Sequence, residues 1–316
     1  MRRARVLTAG FAASALLLAA CGDAEGGSAA DLDLDPDANG SAEDGGEPEG
    51  DAEGGLLERA ESDGITIAFA NEVPYGYEGD DGQPTGQAPT VAMAVLDRMG
   101  ITEVNATTVD FDGLIPGLNA GRFDMVAAGM WINADRVQEA LFTDPDYCDT
   151  TAFAVPEGNP DGLTDYQSAI DADITLGVMG GAVQQDDAED SGVTNLETYG
   201  TDTDLLDALA AGRIDAYALT NVTVQGQMEV TDGFEATEGF VPEVDGEERL
   251  GCGGFVFAPA NLDFRDAFNE VVVEMRDNGE LLDLVEEFGF TQDDLDAAAG
   301  LTVEDLAGIP YDTSAS

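Results

Sequence analysis

Apolar and polar positions follow two periods along this chain. Residues 65–70 (ITIAFA) form a short apolar-rich run that predicts a buried strand. A stretch rich in Gly, Pro and Asp follows at 71–87. Apolar residues then recur at Val91, Ala94, Val95 and Met99, the spacing of one helical face, with Gly100 placed to end the helix. Residues 104–109 predict a strand, 114–120 a short helix and 124–128 a second buried strand. The order restarts after residue 150, with strands expected at 153–155, 175–178 and 216–219 and a helix at 205–211. Two amphipathic helices, 264–276 and 280–288, close the pattern; a further helix at 293–299 leads into an end expected to be unstructured. Strands alternating with helices argue for an α/β fold. Two runs of similar order suggest two lobes with a cleft between them, where ligands commonly bind.

The first residues read differently. Arg2, Arg3 and Arg5 precede an apolar run, Val6 to Ala20, too short for a comfortable membrane span. Leu18-Ala19-Ala20-Cys21 then resembles a bacterial lipoprotein cleavage site, which implies that residues 1–20 are removed and that Cys21 carries lipid. Residues 22–55 hold twelve acids, no base and no aromatic residue. Such a stretch cannot bury enough apolar surface to order itself, so 21–60 is expected to be a solvated, disordered tether.

Composition narrows the chemistry. The 316 residues carry 66 acids against 11 bases, a net charge of −55, and have no His. All of the bases are Arg. A His-based triad, His-ligated metal and Lys Schiff base are excluded. A polyanion of this size is repelled by phosphate backbones, which excludes nucleic acid as a partner. No metal or cofactor is expected. Hydrophobic residues still make up 43%, enough for a core, so the acid belongs to the surface. An acidic surface without Lys suits a protein working in strong salt, where self-repulsion is screened.

Five ordered segments carry a resemblance: 111–118 (FDGLIPGL), 121–124 (GRFD), 128–136 (AGMWINADR), 142–147 (FTDPDY) and 212–216 (GRIDA). With them, residues 65–290 resemble the solute-binding proteins of ABC importers in the cluster that binds polar amino acids. Segments 69–77 (FANEVPYGY) and 85–89 (TGQAP) resemble the branch that binds ectoine and hydroxyectoine. The resemblance implies a type II periplasmic-binding-protein-like fold whose two lobes are joined by two hinge crossing strands. Lobe one would hold 61–147 and the return from 253 to the C-terminal helices; lobe two would hold 148–252. It also implies an extracytoplasmic, lipid-anchored monomer that hands a small zwitterion to a cognate ABC permease and touches the membrane through its anchor alone.

The same resemblance assigns the site. Arg136 would hold the ligand carboxylate, which a guanidinium grips through two parallel hydrogen bonds. Glu72 would face the ligand's amidinium, and Tyr75, Phe111 and Trp131 would form an aromatic box around that diffuse cation. Gly129 would offer a backbone group, and Gly181 and Ala182 would open a lobe-two helix whose N–H groups meet the carboxylate. Thr220 stands where amino-acid binders carry an Asp for the α-ammonium, and Asn133 replaces a usual Thr. Cys148 and Cys252 fall on the two crossing strands, which run side by side in this fold, and would form a disulfide.

Three alternatives stay open on the sequence. The ligand could be a polar amino acid or a betaine. The fold could serve an enzyme, such as a dehydratase with Glu72 or Asp112 as general acid. A structural or sensory lipoprotein is the third.

Overall fold

A computed structural model describes residues 55–244 and 246–311. The expected signal peptide, the lipid site Cys21 and most of the tether lie outside the described residues. Two sheets organise the fold. The first has the strand order Val104–Thr108, Ile65–Phe69, Met125–Trp131, Gly251–Phe257, Leu141–Phe142, with Tyr147–Asp149 pairing further along Gly251–Phe257. The first three strands are parallel, and Gly251–Phe257 runs antiparallel to its neighbours. The second sheet has the order Leu196–Tyr199, Leu176–Met179, Ala216–Thr220, Thr151–Pro156, Phe234–Ala236. Each sheet with its helices makes one lobe.

Helices bury one face against the first sheet. Gln87–Arg98 presents Val91, Ala92, Val95 and Leu96, all fully buried. Leu262–Asp277 presents Phe264, Phe268, Val272 and Met275, and its two Phe rings pack on Phe255 and Phe257 at centroid distances of 5.0–5.6 Å. Side chains of this size contribute ~1.5–3 kcal/mol each when fully buried. Lobe two closes around Phe153, Tyr166 and Phe240, whose rings meet edge to face at 5.1–5.6 Å. Phe111 and Leu114 of lobe one share a buried cluster with Met179 and Ala182 of lobe two, so the lobes are closed on one another.

The chain crosses between lobes on adjacent strands. Cys148 and Cys252 are register partners there, and their sulfurs are bonded. The bond is covered by the C-terminal segment: Ala298 of helix Gln292–Ala298 packs directly on the two cysteines. Arg276 Nη1 donates to the carbonyls of Pro145 and Ala298, and Val303 N–H donates to Asp144 Oδ1.

Two expectations change. Helix Leu56–Asp63 precedes the first strand and buries Leu56 and Ala60 on lobe one, so the folded part begins before the tether boundary expected at residue 60. Its apolar face is a single i, i+4 pair, too little to stand out in an acidic stretch. The end expected to be unstructured contains helix Val303–Ala307, where Thr302 and Asp305 bond reciprocally as a capping box.

Candidate ligand-binding cleft

A narrow cleft lies between the lobes. Glu72, Tyr75, Phe111, Gly129, Trp131 and Arg136 line it from lobe one; Met179, Ala182, Val183, Gln184 and Thr220 line it from lobe two. Eight residues named from the sequence are therefore brought together.

Glu72 and Tyr75 sit on a tight loop after strand Ile65–Phe69. Glu72 and Gly76 exchange backbone hydrogen bonds of 2.8 and 2.9 Å across it. The N–H groups of Gln87 and Ala88, which open helix Gln87–Arg98 and have no partner within it, donate to the carbonyls of Pro74 and Tyr75. The loop is thus clamped from both sides. Glu72 is buried with no Arg within ion-pair distance among the described residues. Burial, then the nearby Asp202, pushes its carboxyl up to about 8, while the Thr223 hydroxyl, 3.4 Å from Oε1, pulls the other way. A buried carboxyl in this state is poised for a cation.

Arg136 stands on the short helix Arg136–Glu139 and is 9% exposed. Its Nη1 donates to the Trp131 carbonyl at 2.6 Å and its Nη2 to the Gly181 carbonyl at 2.7 Å, so it reaches across the cleft from one lobe to the other. The guanidinium lies 5.4 Å from the Phe111 ring centroid. Burial lowers it to about 10, with Asp186, Tyr147 and Asp187 acting in the opposite sense. No carboxylate pairs with it among the described residues. A buried guanidinium bonded only to neutral carbonyls retains its charge and further N–H donors for an anion.

The aromatic walls rest on backbone. The Tyr75 ring lies against Gly129, where a Cβ would come within 2.2 Å of it, and Gly129 has φ +59°, which favours glycine. The Tyr75 hydroxyl donates to Asp149 Oδ2 at 3.2 Å. Trp131 ends strand Met125–Trp131 and is 4% exposed, with Nε1 lacking a partner among the described residues. Gln184 Nε2, also buried, lacks one too. Both donors belong to residues of the cleft wall and call for an oxygen acceptor.

Several assignments are redrawn. Asn133 does not line the cleft; its Oδ1 accepts from Arg136 N–H at 2.9 Å, fixing the turn that carries the guanidinium. Gly181 is not a cleft wall either. Its N–H is taken by Gln185 Oε1, and its carbonyl rather than its N–H meets Arg136. Gly129 lines the cleft, and its carbonyl accepts from the Tyr147 hydroxyl at 2.7 Å. Thr220 lines the cleft and bonds Thr223, with 3.0 Å between their Oγ1 atoms. Met179 and Gln184 were not foreseen. Their signal was positional: a strand end followed by Gly180-Gly181 and a helix start, facing the 111–113 turn once the lobes close.

Residues 65–292 match the bacterial extracellular solute-binding proteins, family 3. A probable amino-acid ABC transporter periplasmic-binding protein, y4tE of Sinorhizobium fredii, is 34% identical over 247 residues, covering 77% of this chain and 82% of that protein. The arginine-binding extracellular protein ArtP of Bacillus subtilis is 27% identical over 221 residues, covering 67% and 80%. Among solved structures, EhuB in complex with hydroxyectoine superposes with a TM-score of 0.72 at 31% identity, covering 79% of this chain and 97% of that one. An ancestral arginine-binding protein bound to arginine, at TM-score 0.63 and 21% identity over 71% of this chain and 97% of that one, shares the fold. A two-lobed α/β architecture and a family match over most of the folded chain make this protein a member of the family 3 extracellular solute-binding proteins of ABC transporters.

Proposed function

We propose that this protein captures ectoine or hydroxyectoine outside the cytoplasm and delivers it to an ABC permease for use as a compatible solute. The observation that supports the reading is the pairing of a buried carboxyl with no ion-pair partner among the described residues, Glu72, with the buried guanidinium of Arg136, in one cleft walled by Tyr75, Phe111 and Trp131. Ectoine presents the complement: a carboxylate and a flat ring with a delocalised positive charge. Arg136 takes the carboxylate, Glu72 the amidinium, and the rings cover the faces of the cation. Trp131 Nε1 and Gln184 Nε2 serve the ligand's oxygens. The protein acts as a monomer, tethered through lipid on Cys21 and the acidic 22–55 stretch, and its acidic surface fits a salt-rich habitat.

A second reading, a polar α-amino acid, is favoured by what the relatives y4tE and ArtP are described as binding. Against it stands Thr220, a neutral hydroxyl bonded to Thr223. Titration calorimetry in high salt with ectoine, hydroxyectoine, glycine betaine, glutamine and arginine separates the readings. Micromolar or tighter binding confined to the ectoines is expected. Preference for an α-amino acid would overturn the ligand assignment and leave the family intact.

A further inference from the structure

The returning hinge strand approaches the cleft without side chains at two positions, Gly251 and Gly253, which flank the bonded Cys252. Both point to the same side of the strand, because side chains alternate. Trp131 and Tyr147 pair with that strand from its two flanks, each as a register partner of Gly253. Their rings fill the space the glycines leave. A Cβ on Gly251 would lie 2.1 Å from Trp131 Cζ3, 2.2 Å from Cη2 and 2.3 Å from Cε3; one on Gly253 would lie 2.3 Å from Tyr147 Cε1. Contacts that short do not occur between real atoms, so either ring would have to shift by on the order of 1 Å.

Gly251 is the informative position. Its φ lies outside the left-handed region, so an alanine there suits the backbone and its nearest collision is with the indole. All three colliding atoms belong to the six-membered half of the ring. That ring lines the cleft, is almost fully buried and carries an unpartnered Nε1 donor, so its placement cannot change without changing what the cleft offers a ligand.

We propose that Gly251 is a positioning residue for ligand binding: the bare backbone of the hinge strand is the seat on which Trp131 lies, and it sets how far the indole projects into the cleft. The hinge and the aromatic wall are therefore one piece, since the seat adjoins the disulfide that ties the two crossings. The proposal rests on the reading of Trp131 as a ligand wall, but the seat itself can be tested without any ligand.

Trp131 is the single tryptophan of the chain, so emission excited beyond the tyrosine absorption band and the long-wavelength edge of the near-ultraviolet circular dichroism report it alone. In the ligand-free protein, Gly251→Ala should shift both signals, and hydroxyectoine affinity measured by calorimetry should fall at least tenfold. In a Trp131→Phe background, which lacks the colliding half of the indole, adding Gly251→Ala should change affinity less than threefold. If Gly251→Ala alone fails to fold, the double variant should restore folding, and a double variant that also fails would overturn the proposal. An unchanged tryptophan spectrum in ligand-free Gly251→Ala would remove the seat. A shifted spectrum with unchanged affinity would show that the seat does not govern binding. If the wild-type protein binds no ectoine but the spectrum shifts as expected, the ligand assignment fails while the seat stands.

Discussion

The two lobes contribute to the cleft in different ways. Lobe one brings the carboxyl, the guanidinium and all three aromatic walls, Glu72, Arg136, Tyr75, Phe111 and Trp131. Lobe two brings only neutral side chains, Met179, Ala182, Val183, Gln184 and Thr220, and one backbone carbonyl at Gly181 that receives Arg136. The division teaches that the ionisable groups of the cleft wall are gathered on one lobe, while the other encloses them with neutral side chains. Closing a low-dielectric cover over such groups strengthens each interaction made inside.

The comparison can be broken at its strongest point first. Arg136→Ala should weaken ligand binding by ~2–5 kcal/mol in calorimetry, the range for removing one member of a buried charge pair; a loss below ~0.5 kcal/mol would put the ligand carboxylate elsewhere. The link between the lobes comes next. The two cysteines are 104 residues apart, and Cys148→Ser with Cys252→Ser should lower stability by ~2–4 kcal/mol in chemical denaturation. Glu72→Gln should cost ~1.5–3 kcal/mol of affinity for a cationic ring, the worth of a hydrogen bond to a charged group. The smallest effect is expected on lobe two, where Gln184→Ala should cost ~0.5–1.5 kcal/mol. A Gln184 loss exceeding the Arg136 loss would reverse the assignment of roles.

Acidity sharpens the same contrast. Burial raises Glu72 from 4.5 to about 8 and Asp146 from 3.8 to about 7 in the ligand-free protein. The folded state then holds protons that the unfolded chain has already released, so stability falls as pH rises through the window from about 4 to 8. Thermal melts should show that decline. A cation bound at Glu72 requires the ionised carboxylate, so binding below pH 8 should release a proton and tighten as pH rises. Calorimetry in buffers of different ionisation enthalpy counts that proton, and Glu72→Gln should abolish it.

Much of this site was legible because its parts sit in short, contiguous motifs. The AGMWINADR segment carries Trp131 and Arg136 five residues apart, and the loop after the first strand carries Glu72 and Tyr75. The α/β alternation was legible for the same reason, since each strand and helix announces itself within about ten residues. What could not be read depends on contacts distant in sequence. Gln184 joins the cleft only when lobe two closes on the 111–113 turn, and Gly251 matters only because an indole 120 positions earlier lies on it. Asn133 was misassigned because a capping side chain and a ligand contact look alike in one dimension; only its bond to Arg136 N–H separates them. Leu196–Tyr199 and Phe234–Ala236 are half-buried edge strands with little apolar signal, and they too escaped notice.

The C-terminal segment carries packing beyond the region matched by the family. The family match stops at residue 292, yet Ala298 roofs the sulfur pair, Val303 leans on Asp144, and the Tyr311 hydroxyl accepts the Phe142 N–H at 2.6 Å. A version trimmed to the family boundary would leave the sulfurs open to thiols and unstitch the outer edge of the first sheet. The folded body therefore extends at least to Tyr311, some twenty residues past the end of the family match.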